Sequence, residues 1–202
     1  MLKKLSKKSL LIFAAVLSLA AFAMPSMASA ASWGVVGSTH DLDQIPGNGL
    51  AFTSTDGTIG SGCAGTSLHA FVTSAAALTV QSGSFTNCMG TGAAGTPCTT
   101  TVTGTFPWTA VGTTTTNIQI NTVNAHVRYE NTPGNATACP ANGVVVTVTG
   151  TLASTGHTHW NSTTRTATFV NATGLIGDSA LGPKTLRIDG ALTDRAHTLT
   201  LS

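Results

Sequence analysis

Apolar and polar side chains alternate with a period of two along much of the chain beyond residue 50. The alternation is clearest at Ile118 and Ile120, at Val127 and Tyr129, at Val144, Val146 and Val148, and at Leu199 and Leu201. In an extended strand such residues lie on one face, so the pattern predicts strands that have one side in a core. We expect strands near 50–54, 66–73, 77–86, 98–105, 116–130, 143–152, 165–170, 184–190 and 196–201.

Turn-forming residues separate these segments, among them Asp56-Gly57, Asn142-Gly143 and Gly182-Pro183. Thr supplies about a fifth of the residues, and its β-branched side chain favours strands over helices. Short strands between frequent turns are typical of sandwiches and barrels. The predicted fold is therefore an all-β, antiparallel β-sandwich of the immunoglobulin-like or jelly-roll-like kind, stapled by disulfides.

The first 30 residues have the pattern of an export signal. Several lysines precede an apolar run over 10–24, and Ala28-Ser29-Ala30 places small residues before the expected cleavage point. The run of about 15 apolar residues is shorter than the roughly 20 that a membrane-spanning helix needs. We therefore predict a cleaved signal peptide over 1–30, an N-terminal extended segment over 31–48 and a single β-sandwich domain over 49–202.

Cleavage of this segment would reverse the net charge. The whole chain has a formal charge of +2, but residues 31–202 carry five basic and seven acidic groups. Such a chain has no basic field to hold phosphates, so nucleic acid is not an expected partner. Only 8% of the residues are charged, so hydroxyls and amides must cover much of the surface. We expect a secreted protein, located outside the cell or in the cell envelope.

The chain has four cysteines, and all of them lie beyond the predicted signal peptide: Cys63, Cys88, Cys98 and Cys139. An even number of cysteines in an exported chain indicates disulfides, for which three connectivities are possible. Pairing between neighbours in the sequence suits consecutive strands. We therefore predict the bridges Cys63–Cys88 and Cys98–Cys139.

Two motifs could support cofactor binding or catalysis, but each has a structural explanation. Gly60–Gly65 matches the letters of a dinucleotide-binding loop, yet the following residues favour a strand where that site needs a helix. Asp41 and Asp43 could form an acid–base pair for sugar chemistry, although they lie in the predicted N-terminal extended segment. Neither a nucleophile elbow nor another specified catalytic set is present. We predict no catalytic residues and no cofactor.

A histidine pair is the most suggestive local cluster. His157 and His159 would point to the same face of a strand and could share a metal ion. A third ligand would have to come from elsewhere, for example from His126 or Asp178, and the sequence does not specify one. A polar hairpin tip or strand edge explains the pair equally well, so we predict no metal site.

Phe106 and Trp108 flank Pro107 between two predicted strands. An exposed aromatic pair could stack on a sugar or an apolar ligand. A tryptophan that plugs the core at a bend forced by proline is the more common arrangement, and we expect it here.

Several short motifs carry a family resemblance over roughly residues 50–200. They are the segment Ser82–Cys88, the sequence Phe106-Pro107-Trp108, the strand entering Asn124–Val127, and Cys139 opening another strand. Together they resemble a group of secreted actinobacterial β proteins and, more distantly, bacterial activators of alkane oxidation. The chain departs from that pattern at Cys98, and a cysteine is missing near Thr173-Gly174-Leu175. The resemblance implies no catalytic residues.

The sequence thus predicts a secreted or envelope-associated, non-enzymatic β protein with a surface-binding or coat role. Its expected partners are cell-envelope polymers or apolar surfaces. The alternative is a secreted hydrolase whose site the sequence does not identify. An outer-membrane β-barrel is a further alternative, disfavoured by the four cysteines, by an aromatic content of only 5% where aromatic girdles are expected, and by the final residues Leu201-Ser202.

Overall fold

The structure is a computed structural model that describes residues 31–91, 97–132, 139, 141–154 and 156–202. The predicted signal peptide over 1–30 lies outside the described residues. Every regular element in the described ranges is a β-strand, so the all-β prediction is confirmed. Those ranges hold no helix that is long and apolar enough to cross a membrane.

The described residues form eleven strands, and the ladders between them are antiparallel. The strands are β1 (Thr39–Gln44), β2 (Ala51–Ser54), β3 (Gly60–Ser74), β4 (Ala77–Thr91), β5 (Pro97–Gly104), β6 (Trp108–Gly112), β7 (Ile118–Glu130), β8 (Val145–Leu152), β9 (Thr158–Asn161), β10 (Thr166–Asp178) and β11 (Lys184–Asp194). The sequence pattern does not predict β6 or β9, because five and four residues are too few to show a period.

The strands close into a barrel. The order around the wall is β2-β3-β4-β5-β7-β8-β10-β11, and β11 pairs back with β2. Two short strands also pair into this wall. Strand β1 pairs with β11 and β3, and strand β6 pairs with β4 and β7. The predicted sandwich is thus replaced by a closed barrel, because pairing between early and late strands leaves no two separate sheets to pack.

Inward-facing side chains fill the barrel. On β8, Val146 and Val148 are buried whereas Val145 and Thr149 face solvent. The same alternation runs along the other long strands, so the interior is apolar and the outer surface is largely polar. Burial of apolar side chains at about 25 cal/mol per Å² is the main source of stability for such a fold.

The segment over 31–48 belongs to the barrel. Strand β1 pairs with both β3 and β11, although Leu42 is its one strongly apolar residue and it shows no alternation in sequence. Trp33 is 1% exposed, donates its Nε1–H to the carbonyl oxygen of Ala110, and packs edge-on against Trp160 at 5.5 Å between ring centroids. This stretch, which the sequence predicts as an N-terminal extended segment, is therefore held to the barrel by pairing and burial.

The predicted strand over 196–201 does not form. Leu199 and Leu201 are buried as their alternation implies, but this stretch pairs only through an isolated bridge between Leu201 and Trp33. Asp194 Oδ2 accepts hydrogen bonds from the backbone N–H groups of Thr198 and Leu199. Those donors are therefore engaged by a carboxylate and not by a neighbouring strand.

Both disulfides lie at one end of the barrel. Cys63 and Cys88 are directly opposite each other on β3 and β4, and Cys98 on β5 is bonded to Cys139 in the connection between β7 and β8. These are the two pairs that proximity in sequence predicts. All four cysteine side chains are buried, so the bridges are part of the core.

Candidate functional site

Threonines line the outer surface of β5 and β8. Thr99, Thr101 and Thr103 alternate along β5, and Thr147 and Thr149 alternate along β8, with β7 between the two strands. Two exposed apolar side chains adjoin these hydroxyls, since Val145 is 43% exposed and Ile176, opposite Thr149 on β10, is 53% exposed. We call this surface, the outward side of β5, β7 and β8 together with Ile176, the threonine face. It offers hydroxyls and methyl groups side by side.

The charges on the threonine face are largely paired. Arg128 on β7 contacts Glu130 with 3.0 Å between Nε and Oε1. His126 lies opposite Thr147, with 3.3 Å between its Nδ1 and the threonine Oγ1. An ion pair exposed to this extent adds little stability, but it lowers the net field of the surface. The face is therefore polar without a strong charge.

A serine, a histidine and an aspartate meet where β1 begins. Ser38 Oγ lies 2.8 Å from Nε2 of His40, and Nδ1 of His40 lies 3.4 Å from Oδ1 of Asp194. His40 and Asp194 are buried, at 5% and 0% exposure. Burial raises the pKa of Asp194, but hydrogen bonds from the N–H groups of Leu199 and Thr198, together with His40, outweigh it and hold that pKa below its ordinary value.

This trio has the residue types of a hydrolase triad but not its hydrogen-bond directions. Ser38 Oγ donates to the carbonyl oxygen of Val35 at 2.6 Å, so its one proton points away from His40. Nε2 of His40 must then donate to Ser38, whereas a nucleophilic serine donates to an unprotonated nitrogen. Nδ1 of His40 is also within ion-pair distance of the Asp194 carboxylate without being aligned for a hydrogen bond. The arrangement ties β1 to the end of β11.

The carboxylate pair considered from sequence sits on the outer side of β1. Asp41 accepts a hydrogen bond from Nδ1 of His69 at 2.8 Å and lies 3.6 Å from Nη1 of Arg195. Asp43 accepts from Ser67 at 2.7 Å and from Nε of Arg195. Partial burial raises the pKa of Asp43, but the hydrogen bonds from Arg195 and Ser67 and the charge of Arg195 lower it further, so the net shift is downward. A general acid for sugar chemistry needs a raised pKa, which Asp43 does not have, and both carboxylates contact Arg195, so the pair is arranged as an ion-pair cluster.

The histidine pair lies where the sequence places it, on and just before β9. Both rings are exposed, and each is close to a backbone carbonyl: His157 Nδ1 lies 2.7 Å from the oxygen of Val170, and His159 Nε2 lies 3.1 Å from that of Gly156. Within the described ranges, no three His, Cys, Asp or Glu residues are grouped as metal ligands would be. His126 and Asp178 are on other strands, β7 and β10.

The glycine motif over Gly60–Gly65 lies inside β3. Its backbone is extended and paired with β2 and β4, so it forms neither the tight turn nor the helix start of a dinucleotide site.

Sequence alone shows part of this picture. The alternating threonines of β5 and β8 are visible in the sequence, although which strand separates them is not. The meeting of His40 with Asp194 leaves no trace in sequence, because pairing between β1 and β11 brings together residues that are far apart in the chain. The chain matches no family model, no curated protein and no solved structure.

Proposed function

We propose that the protein is exported and works by associating with a surface of the cell envelope or with an apolar surface, and that it is not an enzyme. The observation that carries the proposal is the threonine face. Its hydroxyls can exchange hydrogen bonds with polymer hydroxyls, while the exposed Val145 and Ile176 offer apolar contact. The two disulfides suit a protein that works in an oxidising compartment.

The low charge of the face supports this role. Desolvating an unpaired charge is far more costly than desolvating a hydroxyl that regains a partner. Arg128 and Glu130 already neutralise each other on β7. Contact with an uncharged polymer or an apolar phase therefore costs this surface less than it would cost a typical charged surface.

The test is retention of the purified domain, residues 31–202, on isolated cell wall and, separately, on a hexadecane emulsion. In the variant Thr101→Asp/Thr147→Asp, two carboxylates replace outward hydroxyls on β5 and β8. The control Thr163→Asp/Thr164→Asp adds the same charge in the exposed turn between β9 and β10. We expect several-fold lower retention for the first variant and unchanged retention for the control. Equal retention of both variants would show that the threonine face is not the binding surface.

A secreted hydrolase is the second candidate, favoured by the contact between Ser38, His40 and Asp194. A fluorophosphonate probe labels an activated serine covalently, so labelling of the wild type is compared with that of Ser38→Ala. We expect equal background labelling in both, because Ser38 directs its proton to Val35. Stoichiometric labelling that disappears in Ser38→Ala would overturn the non-enzymatic proposal.

A further inference from the structure

A polar groove lies on the outer surface of the barrel where β1 ends. Strand β1 pairs with β3 over Ser67–Phe71, and β2 pairs with β3 over Gly60–Gly62. The stretch 63–66 of β3 therefore lies between the ends of these two strands. The structure has an open groove of about 360 Å³ at this position. We call it the β3 groove, and the lining residues that matter below are Asp43, Pro46, Gly65, Ser67, Ser84 and Thr86.

Strand register aligns the polar side chains of the groove. Asp43 lies opposite Ser67 across the β1–β3 ladder, and Ser67 lies opposite Ser84 across the β3–β4 ladder. The neighbouring Leu42 and Leu68 are buried, so Asp43 and Ser67 point away from the core. Residues directly opposite each other have Cβ atoms about 5 Å apart. One carboxylate and two hydroxyls thus form a row across three strands.

The next row of residues lowers the floor of the groove. Gly65 lies opposite Thr86, and a methyl group placed on Gly65 would lie 2.2 Å from Oγ1 of Thr86. Glycine therefore leaves room for that hydroxyl. Its oxygen is 3.5 Å from the carbonyl oxygen of Gly65, which is longer than a good O–H···O hydrogen bond. The hydroxyl of Thr86 thus keeps most of its capacity to bind a ligand.

The groove also has acceptor capacity that the described contacts do not use. Each carboxylate oxygen of Asp43 accepts one hydrogen bond, from Ser67 at 2.7 Å and from Nε of Arg195, and each has room for a second. Gln44 borders the groove and donates through Nε2 to the carbonyl oxygen of Ala64 at 2.9 Å. No described residue donates to its buried Oε1. Acceptors of this kind favour a ligand that brings hydroxyl donors.

The charge of the groove is neutralised within the protein. Asp43 is the one charged residue among the described residues of the lining, and Arg195 pairs with it. A charged ligand would lose hydration here without gaining a free counter-charge. Pro46 adds an apolar ring at the edge of the groove. The groove therefore suits a ligand that is uncharged, rich in hydroxyls and apolar on one face.

We propose that the β3 groove binds one ring of an uncharged saccharide. At roughly 30 Å³ per molecule the groove holds about a dozen waters, which is the space that a hexose ring and its hydroxyls take up. Two neighbouring ring hydroxyls can donate to Asp43, others can exchange hydrogen bonds with Ser84 and Thr86, and the C–H face of the ring can contact Pro46. This inference does not depend on the threonine face, which lies on β5, β7 and β8.

The probes are three soluble, uncharged trisaccharides: cellotriose, maltotriose and tri-N-acetylchitotriose. Each is titrated into the isotope-labelled domain, residues 31–202, which forms one compact unit, and the amide chemical shifts are followed by NMR. We expect saturable shifts with at least one probe, centred on 43–46, 63–67 and 84–86. Absence of saturable shifts with all three, or saturable shifts centred on any other part of the barrel, would overturn the proposal.

A variant removes hydroxyls from the groove. In Ser84→Ala/Thr86→Ala two exposed hydroxyls of β4 are lost, so the saccharide that binds wild type should bind about tenfold more weakly. The matched control Thr163→Ala/Thr164→Ala removes two hydroxyls from the exposed turn between β9 and β10 and should bind as wild type does. Equal affinity of the folded groove variant and wild type would contradict the site.

Asp43→Asn keeps the test decisive if the double variant does not fold. This change replaces one carboxylate oxygen by an amide donor, so binding should again weaken by about tenfold, and unchanged affinity of the folded protein would equally contradict the site. Retention of Thr101→Asp/Thr147→Asp on cell wall and hexadecane is measured separately. Failure of the threonine face and failure of the β3 groove are therefore distinguishable.

Discussion

Alkaline pH should probe the barrel interior through Tyr129, the only tyrosine in the chain. Its side chain is 2% exposed and its hydroxyl donates to the carbonyl oxygen of Gly60 at 3.1 Å. Burial raises the pKa of Tyr129 to about 12, because the phenolate would have to form in an apolar interior. The perturbation is a rapid jump from neutral to alkaline pH.

The magnitude follows from the difference between the folded and unfolded pKa values. The unfolded value is about 10, so a folded value of about 12 corresponds to a free-energy contribution of about 2.7 kcal/mol. Because the folded pKa is the higher one, this contribution is complete below about pH 10. It is lost as the pH rises from about 10 to about 12, where the unfolded chain releases a proton that the folded chain keeps.

The assay is stopped-flow absorbance of the phenolate, recorded before the disulfides can react with hydroxide. We expect the folded protein to titrate near pH 12 and guanidinium-unfolded protein near pH 10. The variant Tyr129→Phe should show no phenolate signal and a shallower loss of unfolding free energy over the same range. A midpoint near pH 10 with native near-ultraviolet circular dichroism would refute the reasoning, since it would mean that the hydroxyl is accessible to solvent.

Three further changes test other parts of the fold. Replacing Cys98 and Cys139 together by Ala should lower the unfolding free energy in urea by about 4 kcal/mol on a chain-entropy model; an unchanged urea midpoint would contradict the bridge. Trp33→Ala should cost about 3–5 kcal/mol in the same assay because a buried indole is lost, and a loss below about 1 kcal/mol would show that the N-terminal segment is not anchored. The lowered pKa of Asp194 stabilises the fold above about pH 4, and this contribution is lost as the pH falls through the folded pKa. In Asp194→Asn, the unfolding free energy measured in urea should therefore fall less steeply with decreasing pH than in wild type. The same pH dependence in both proteins would contradict the assignment.

Local pattern was sufficient for most of the strands. Alternation along 118–130 and 145–152 has the same appearance in any antiparallel fold, because side-chain direction in a strand depends only on neighbouring residues. The same locality explains why the cysteine pairs were predictable. Cys63 and Cys88 lie on two strands joined by a single hairpin, so proximity in sequence becomes proximity in space.

Closure of the barrel could not be predicted in this way. A sandwich and a barrel have the same period of two, and what distinguishes them is the pairing of β11 with β1 and β2. That pairing joins residues more than one hundred positions apart, and nothing in the local pattern of either segment specifies the other. It also explains why β1 was not predicted, since its polar sequence becomes a strand only between two existing edges.

Some features of the candidate sites are visible in the sequence, and others arise only when the chain folds. The threonine alternation that forms the outward side of β5 and β8 is a property of the sequence, and so is the low charge of its surroundings. The contact of His40 with Asp194 and the burial of Trp108 beside Phe106 arise only in the folded barrel. The physical reason is that strand direction is set by backbone geometry over a few residues, whereas contacts across the barrel depend on which distant strands satisfy each other's backbone hydrogen bonds.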